Sequence, residues 1–160
     1  TIDRPEKRNA MTYAMLGGFI ETVGLMREDY FLYYEEVDWA ARRGDLPLAW
    51  CQEARTAHHV GTSIGSGTFE RKASPLSEYF NNRNRMWFVW RHRWTVLPLA
   101  YAGSMRRALK LLFAGQRLAG LAAICGISQL PPPRFVSEKI AKEAQSYAFG
   151  RAGSKREVGV

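Results

Sequence analysis

Ten basic side chains between residues 71 and 117 (Arg71, Lys72, Arg83, Arg85, Arg91, Arg93, Arg106, Arg107, Lys110 and Arg117) share that stretch with a single acid, Glu78. A run like this folds only if its apolar residues turn to one side and leave the cations facing water or an anion. The net charge of +8 over 160 residues favours an anionic partner: nucleic acid, phospholipid headgroups or a nucleotide diphosphate. A hydrophobic content of 46% is too high for a disordered chain, and the length suits one domain or part of a larger one. Two distant cysteines, Cys51 and Cys125, exclude a disulfide scaffold and a thiolate zinc site, so reduced thiols are expected.

The chain begins at Thr1 without a basic-then-apolar leader, so a processed protein or a piece of a longer one is expected. Residues 14–26 carry Met15, Leu16, Phe19, Ile20 and Val23 at helical spacing, with Gly24 as the closing residue. A second short helix is expected over 34–43, acids first and arginines last, followed by Gly44. Residues 46–51 and 55–60 read as short strands, and 61–67 (GTSIGSG) as a glycine/serine loop. Ser74 is a helix N-cap with Pro75 in the first position and Glu78 near the capping-box place; this helix can run to Arg93, before Pro98 interrupts. Residues 104–124 form a further, basic and amphipathic helical stretch, and the triple proline at 131–133 ends what precedes it. The tail beyond is a modest amphipathic segment with a loose Gly/Arg/Lys-rich end. No window of about 18 apolar residues spans a bilayer; the basic helix suits at most a membrane surface.

The chemistry concentrates in 28–44, EDYFLYYEEVDWAARRG. Glu35, Glu36 and Asp38 stand within one helical turn; Glu35 and Asp38 share a side while Glu36 points elsewhere. Acids commonly sit at a helix start, and Asp38 with Arg42 makes an ordinary i,i+4 pair. That account leaves unexplained why Tyr30, Phe31, Leu32, Tyr33 and Tyr34 lead straight into the acids. An aromatic approach to paired carboxylates suits a cleft that raises a base's proton affinity and stacks a sugar ring.

Two further stretches add to it. In HHVGTS, at 58–63, the adjacent histidines point to opposite faces of an extended segment, so one of them can serve a given site. A lone histidine there is more often structural, yet an imidazole beside a Gly/Ser loop also suits Mn²⁺ or Mg²⁺ on a diphosphate. In SEYFNNRNRMWFVWRH, at 77–92, arginines interleave with aromatics. The ordinary reading is a core-facing aromatic stripe with a solvated basic face; the sharper one gives Arg83 or Arg85 a diphosphate to neutralise.

Taken in order, YFLYYEEVDWAARRG, AWCQEARTAHHVGTSIG and SPLSEYFNNRNRMWFVWRH resemble the distal part of family 2 glycosyltransferases of the rhamnosyltransferase-like branch, over roughly residues 14–92. The three-part order makes the resemblance specific; any one part alone is weak. It implies an α/β fold, a partial GT-A fold lacking the N-terminal nucleotide-binding strands and followed by C-terminal helices. The divisions are an unplaced segment 1–13, an acceptor-side catalytic part 14–95, a basic helical region 96–133 and a tail 134–160. The implied reaction is an inverting transfer of a sugar, rhamnose being the branch's type, from a nucleotide-diphosphate donor to a glycan or lipid-linked acceptor in cell-surface polysaccharide synthesis. The family's E-D-x-D motif falls on Glu35, Glu36, Val37 and Asp38, which places the catalytic base on Glu36, where Asp is usual, with Glu35 as the alternative. Tyr34, Asp38, Trp39, Arg83 and Asn84 are the implied substrate contacts. His58 is the implied contact to Mn²⁺ or Mg²⁺, with His59 as the other register.

The family's donor half, with its Asp-x-Asp motif, has no counterpart upstream, where Asp3 stands in no such motif. The isolated chain is therefore expected to bind sugar nucleotide poorly and not to turn over. The expected location is cytoplasmic, peripheral at the inner membrane face, with membrane contact through 104–124 and no nucleic-acid partner. The competing reading is a basic nucleic-acid-binding module built on residues 71–110, which accounts for the charge but not for the acidic helix.

Overall fold

Ser74 and Pro75 start the longest helix as local chemistry requires. In the computed structural model, which describes residues 18, 20, 21, 23–45 and 74–149, the Ser74 hydroxyl accepts from the Ser77 N–H at 3.2 Å, and proline occupies a position whose N–H has no helical partner. The described elements are α1 (Glu35–Ala41), α2 (Pro75–His92), α3 (Leu97–Phe113), α4 (Arg117–Ile127), α5 (Arg134–Ser137) and α6 (Lys142–Phe149). Short 3-10 turns occupy Glu28–Tyr30 and Trp94–Val96. Val23 lies in a helix that stops at Gly24 (φ +80°), whose N–H bonds back to the Ile20 carbonyl at 2.7 Å.

α4 packs along α2 and against α3. Its sequence, RLAGLAAICGI, is rich in small residues, and Ala119, Gly120, Ala122, Ala123 and Gly126 are buried. With so little side chain between the axes, the helices approach until a Cβ built on Gly126 would lie 2.4 Å from the Tyr79 carbonyl oxygen. One core cluster gathers Tyr79, Phe80, Ala122, Val136, Ile140 and Ala148; the second joins Met86, Ala108, Ala123 and Ile127.

This architecture corrects the α/β expectation. Among the described residues there is no strand, and apolar surface is buried helix against helix, so the partial GT-A fold does not stand. The strands expected at 46–51 and 55–60 and the loop at 61–67 lie outside the described residues. The single helix expected over 104–124 is two, divided at Gly115, whose φ of +76° is ready for glycine and strained for other residues. Pro98 does not merely interrupt: it stands in the first turn of α3, where it favours the helix start. No helix among the described residues is long and apolar enough to cross a membrane.

Candidate functional site

The turn leading into α1 adopts a backbone that its residues disfavour. Phe31, Tyr33 and Tyr34 all have positive φ (61°, 68° and 74°), at a cost of about 1 kcal/mol or more each for residues with a Cβ. Two α2 side chains hold it there. The Asn84 amide, fully buried, donates to the carbonyls of Tyr30 (2.9 Å), Leu32 (2.6 Å) and Tyr33 (3.0 Å). Arg83 donates to the Tyr30 carbonyl at 2.9 Å, to the Ala148 carbonyl at 2.6 Å and to Asn84 Oδ1 at 2.9 Å, while its guanidinium stacks 4.5 Å from the Trp87 ring centre. Burial lowers the Arg83 pKa, an effect opposed by the nearby Tyr79 hydroxyl and Asp29. As placed, Arg83 and Asn84 hold backbone rather than facing a diphosphate.

A buried polar node lies beside this turn. Asp38 is 1% exposed; its carboxylate accepts from the Tyr30 hydroxyl (3.0 Å), Arg42 Nε (2.9 Å) and His92 Nε2 (2.8 Å). An ionised carboxylate only accepts, so Nε2 carries the hydrogen. Arg42 also donates to the Val23 and Leu25 carbonyls, which ties the end of the first helix to α1. Burial raises the Asp38 pKa, but the bonds from His92, Tyr30 and Arg42 outweigh it and hold the carboxyl below its ordinary 3.8. Burial first, then the bond to Asp38, pushes the Tyr30 hydroxyl up to about 12 against the opposing effect of Arg91.

A depressed carboxyl pKa stabilises the fold above the unfolded value, and that stability is lost as pH falls through the folded value. Acid unfolding is therefore expected to set in as pH drops to about 4 and below. Asp38→Asn should be less stable at neutral pH and lose part of the acid slope when unfolding midpoints are measured across pH. A variant with the wild-type slope would remove Asp38 from this role.

Trp39 and Tyr34 are likewise engaged within the protein: Trp39 Nε1 donates to the Gly24 carbonyl at 2.8 Å, and the Tyr34 hydroxyl accepts from Arg85 Nε at 3.1 Å. The two candidate bases differ. Glu36 is exposed. Glu35 lines a cleft of about 430 Å³ together with Met26, Arg27, Glu28, Phe31 and Tyr147. Its Oε2 is buried and has no hydrogen-bond partner among the described residues. A carboxylate oxygen withdrawn from water without a donor is costly. Both aromatic walls keep solvent-facing surface, Phe31 at 37% and Tyr147 at 59% exposure.

Among the described residues no group of three or more His, Cys, Asp or Glu could hold a metal ion, and His58 and His59 lie outside them. The described residues thus supply no cluster of three such protein ligands. No family model, curated protein or solved structure matches the chain. The site's chemistry therefore rests on its own geometry. That geometry brings together Glu35 and Phe31, which the sequence singled out, with Arg27 and Tyr147, which it did not. Tyr147 is 112 positions beyond Glu35 on α6, and no spacing rule joins them. His92 closes the RNRMWFVWRH stretch without any local sign that it meets Asp38.

Proposed function

We propose that this chain supplies the acceptor-side, base-bearing part of an inverting family 2-like glycosyltransferase, with Glu35 as the base. One observation carries the reading: the unpartnered, buried Glu35 oxygen on the wall of a cleft flanked by two partly exposed aromatic rings. A pyranose laid against Phe31 or Tyr147 offers its C–H face to the rings and a hydroxyl to the carboxylate.

In the step so arranged, the acceptor hydroxyl gives its proton to Glu35 as its oxygen bonds to the anomeric carbon. The bond from that carbon to the diphosphate oxygen breaks on the opposite face, and the electron pair leaves with the nucleoside diphosphate. Arg27 also lines the cleft, its charge balanced by Asp29 at 3.0 Å. No step is assigned to Mn²⁺ or Mg²⁺, since the implied metal contact His58 lies outside the described residues. The donor is then a nucleotide sugar and the acceptor a glycan or lipid-linked sugar.

The nucleic-acid reading loses support because several of its cations have internal partners. Arg83 and Arg85 donate within the protein, Arg91 bonds Asp29 at 2.6 Å, and Arg107 bonds the buried Glu78 at 2.7 Å.

Saturation-transfer NMR with simple pyranosides tests the proposal. Transfer from the Phe31 and Tyr147 rings is expected, with affinity lowered several-fold by Tyr147→Ser and by Glu35→Gln. Absence of any pyranoside contact at millimolar ligand would overturn it.

A further inference from the structure

We infer that the outer face of α3 docks on an anionic lipid bilayer surface, with Trp94 and Phe113 entering the headgroup layer at its two ends. The inference is independent of the transferase reading. α3 buries Ser104 and Ala108 and turns Leu97, Ala100, Met105, Leu111 and Leu112 partly inward. At about 100° per residue, Leu99, Arg106, Leu109, Lys110 and Phe113 fall within a stripe of about 120° on the opposite side.

That stripe does not resemble an ordinary solvated surface. Phe113 is 90% exposed and Leu99 76%, and the 3-10 turn leading into the helix presents Trp94 at 70%. Trp90 ends α2 nearby in sequence at 67%, and Leu118 opens α4 at 53%. Leu99, Leu109 and Phe113 share the stripe, and large apolar side chains left in water on one face mark an interaction surface.

Charge selects the occupant. Residues 79–137 contain no acid at all, and Arg93, Arg106, Lys110 and Arg117 are exposed. Glu78, the acid just before that run, is buried against Arg107. A second copy of this face would set like charges against each other. A polynucleotide would match the cations but leave Leu99, Leu109 and Phe113 against phosphates. An anionic bilayer surface satisfies both halves: cations at the phosphates, aromatic and leucine side chains among the upper acyl carbons. The structure also shifts the docking element from the helix expected over 104–124 to α3 and its leading turn.

Flotation of the full chain with vesicles of phosphatidylcholine, alone or mixed with phosphatidylglycerol, tests this. Binding is expected with the mixed vesicles, weakening as salt rises. Arg106→Gln with Lys110→Gln should lower binding on the order of tenfold or more, since each surface cation contributes about fivefold. Leu99→Asp with Phe113→Asp should abolish it while circular dichroism stays unchanged. In the unsubstituted chain, brominated lipid should quench tryptophan emission, a readout that needs no variant. Three results would each overturn the inference: no binding at low salt; equal binding to phosphatidylcholine alone; or oligonucleotide binding that outcompetes vesicles and ignores the Leu99 and Phe113 changes.

Discussion

Gly126→Ala is expected to cost this protein most of its stability, more than about 3 kcal/mol, with a large fall in the urea midpoint. The added Cβ would stand 2.4 Å from the Tyr79 carbonyl oxygen and 3.0 Å from the Arg83 amide nitrogen. Both are backbone atoms of α2, so no side-chain rotation relieves the clash, and α4 must move away from α2. That displacement has a second consequence, because the adjoining α2 residues Arg83 and Asn84 hold the turn before Glu35. Cleft binding should therefore fail even under conditions where the variant remains folded. Gly103→Ala is the control: a methyl group added there would meet nothing within 4 Å, and Gly103 is exposed within α3. There the change should stabilise by up to about 1 kcal/mol through helix propensity alone. Equal midpoints for Gly126→Ala and the unsubstituted protein would contradict the close α2–α4 approach.

What the sequence discloses follows from how local each determinant is. The start of α2 is legible to the residue because a serine cap and a first-turn proline act within three positions, and its end at His92 falls one residue short of expectation. The break between α3 and α4 is not, because leucines continue at helical spacing across Gly115, so periodicity hides the single residue whose positive φ divides them. The turn before α1 differs in kind from what its residues suggest. Positive φ at three aromatic residues runs against their own preferences and exists because Asn84 and Arg83 collect the turn's carbonyls. From sequence alone, Arg83 in a basic helix reads as a diphosphate ligand, since the carbonyl that occupies it is made by a segment some fifty positions earlier. The fold class fails for a related reason. The α/β fold class comes from a resemblance, and the strands read at 46–51 and 55–60 lie outside the described residues, among which the small side chains of α4 support helix-on-helix packing.

The choice between Glu35 and Glu36 shows the same limit at the site, and it yields the sharpest kinetic expectation. Neighbouring helical residues differ by about 100° in direction, so the pattern E-E-V-D alone does not say which carboxylate meets the cleft. The structure gives Glu35 the cleft wall and a buried oxygen without a partner among the described residues, and leaves Glu36 in solvent. On the proposed transferase reading, Glu35→Gln should lower kcat of the active enzyme by about 10²–10⁴, the usual range for a lost general base. Glutamine keeps the shape and one carbonyl acceptor but takes no proton, so donor KM should change little. Glu36→Gln should stay within a few-fold of the unsubstituted enzyme. If Glu36→Gln instead carries the loss, the cleft is not where the hydroxyl is deprotonated. If neither does, a carboxylate base on α1 is ruled out, because the other acid of that turn, Asp38, is buried and held by three hydrogen bonds.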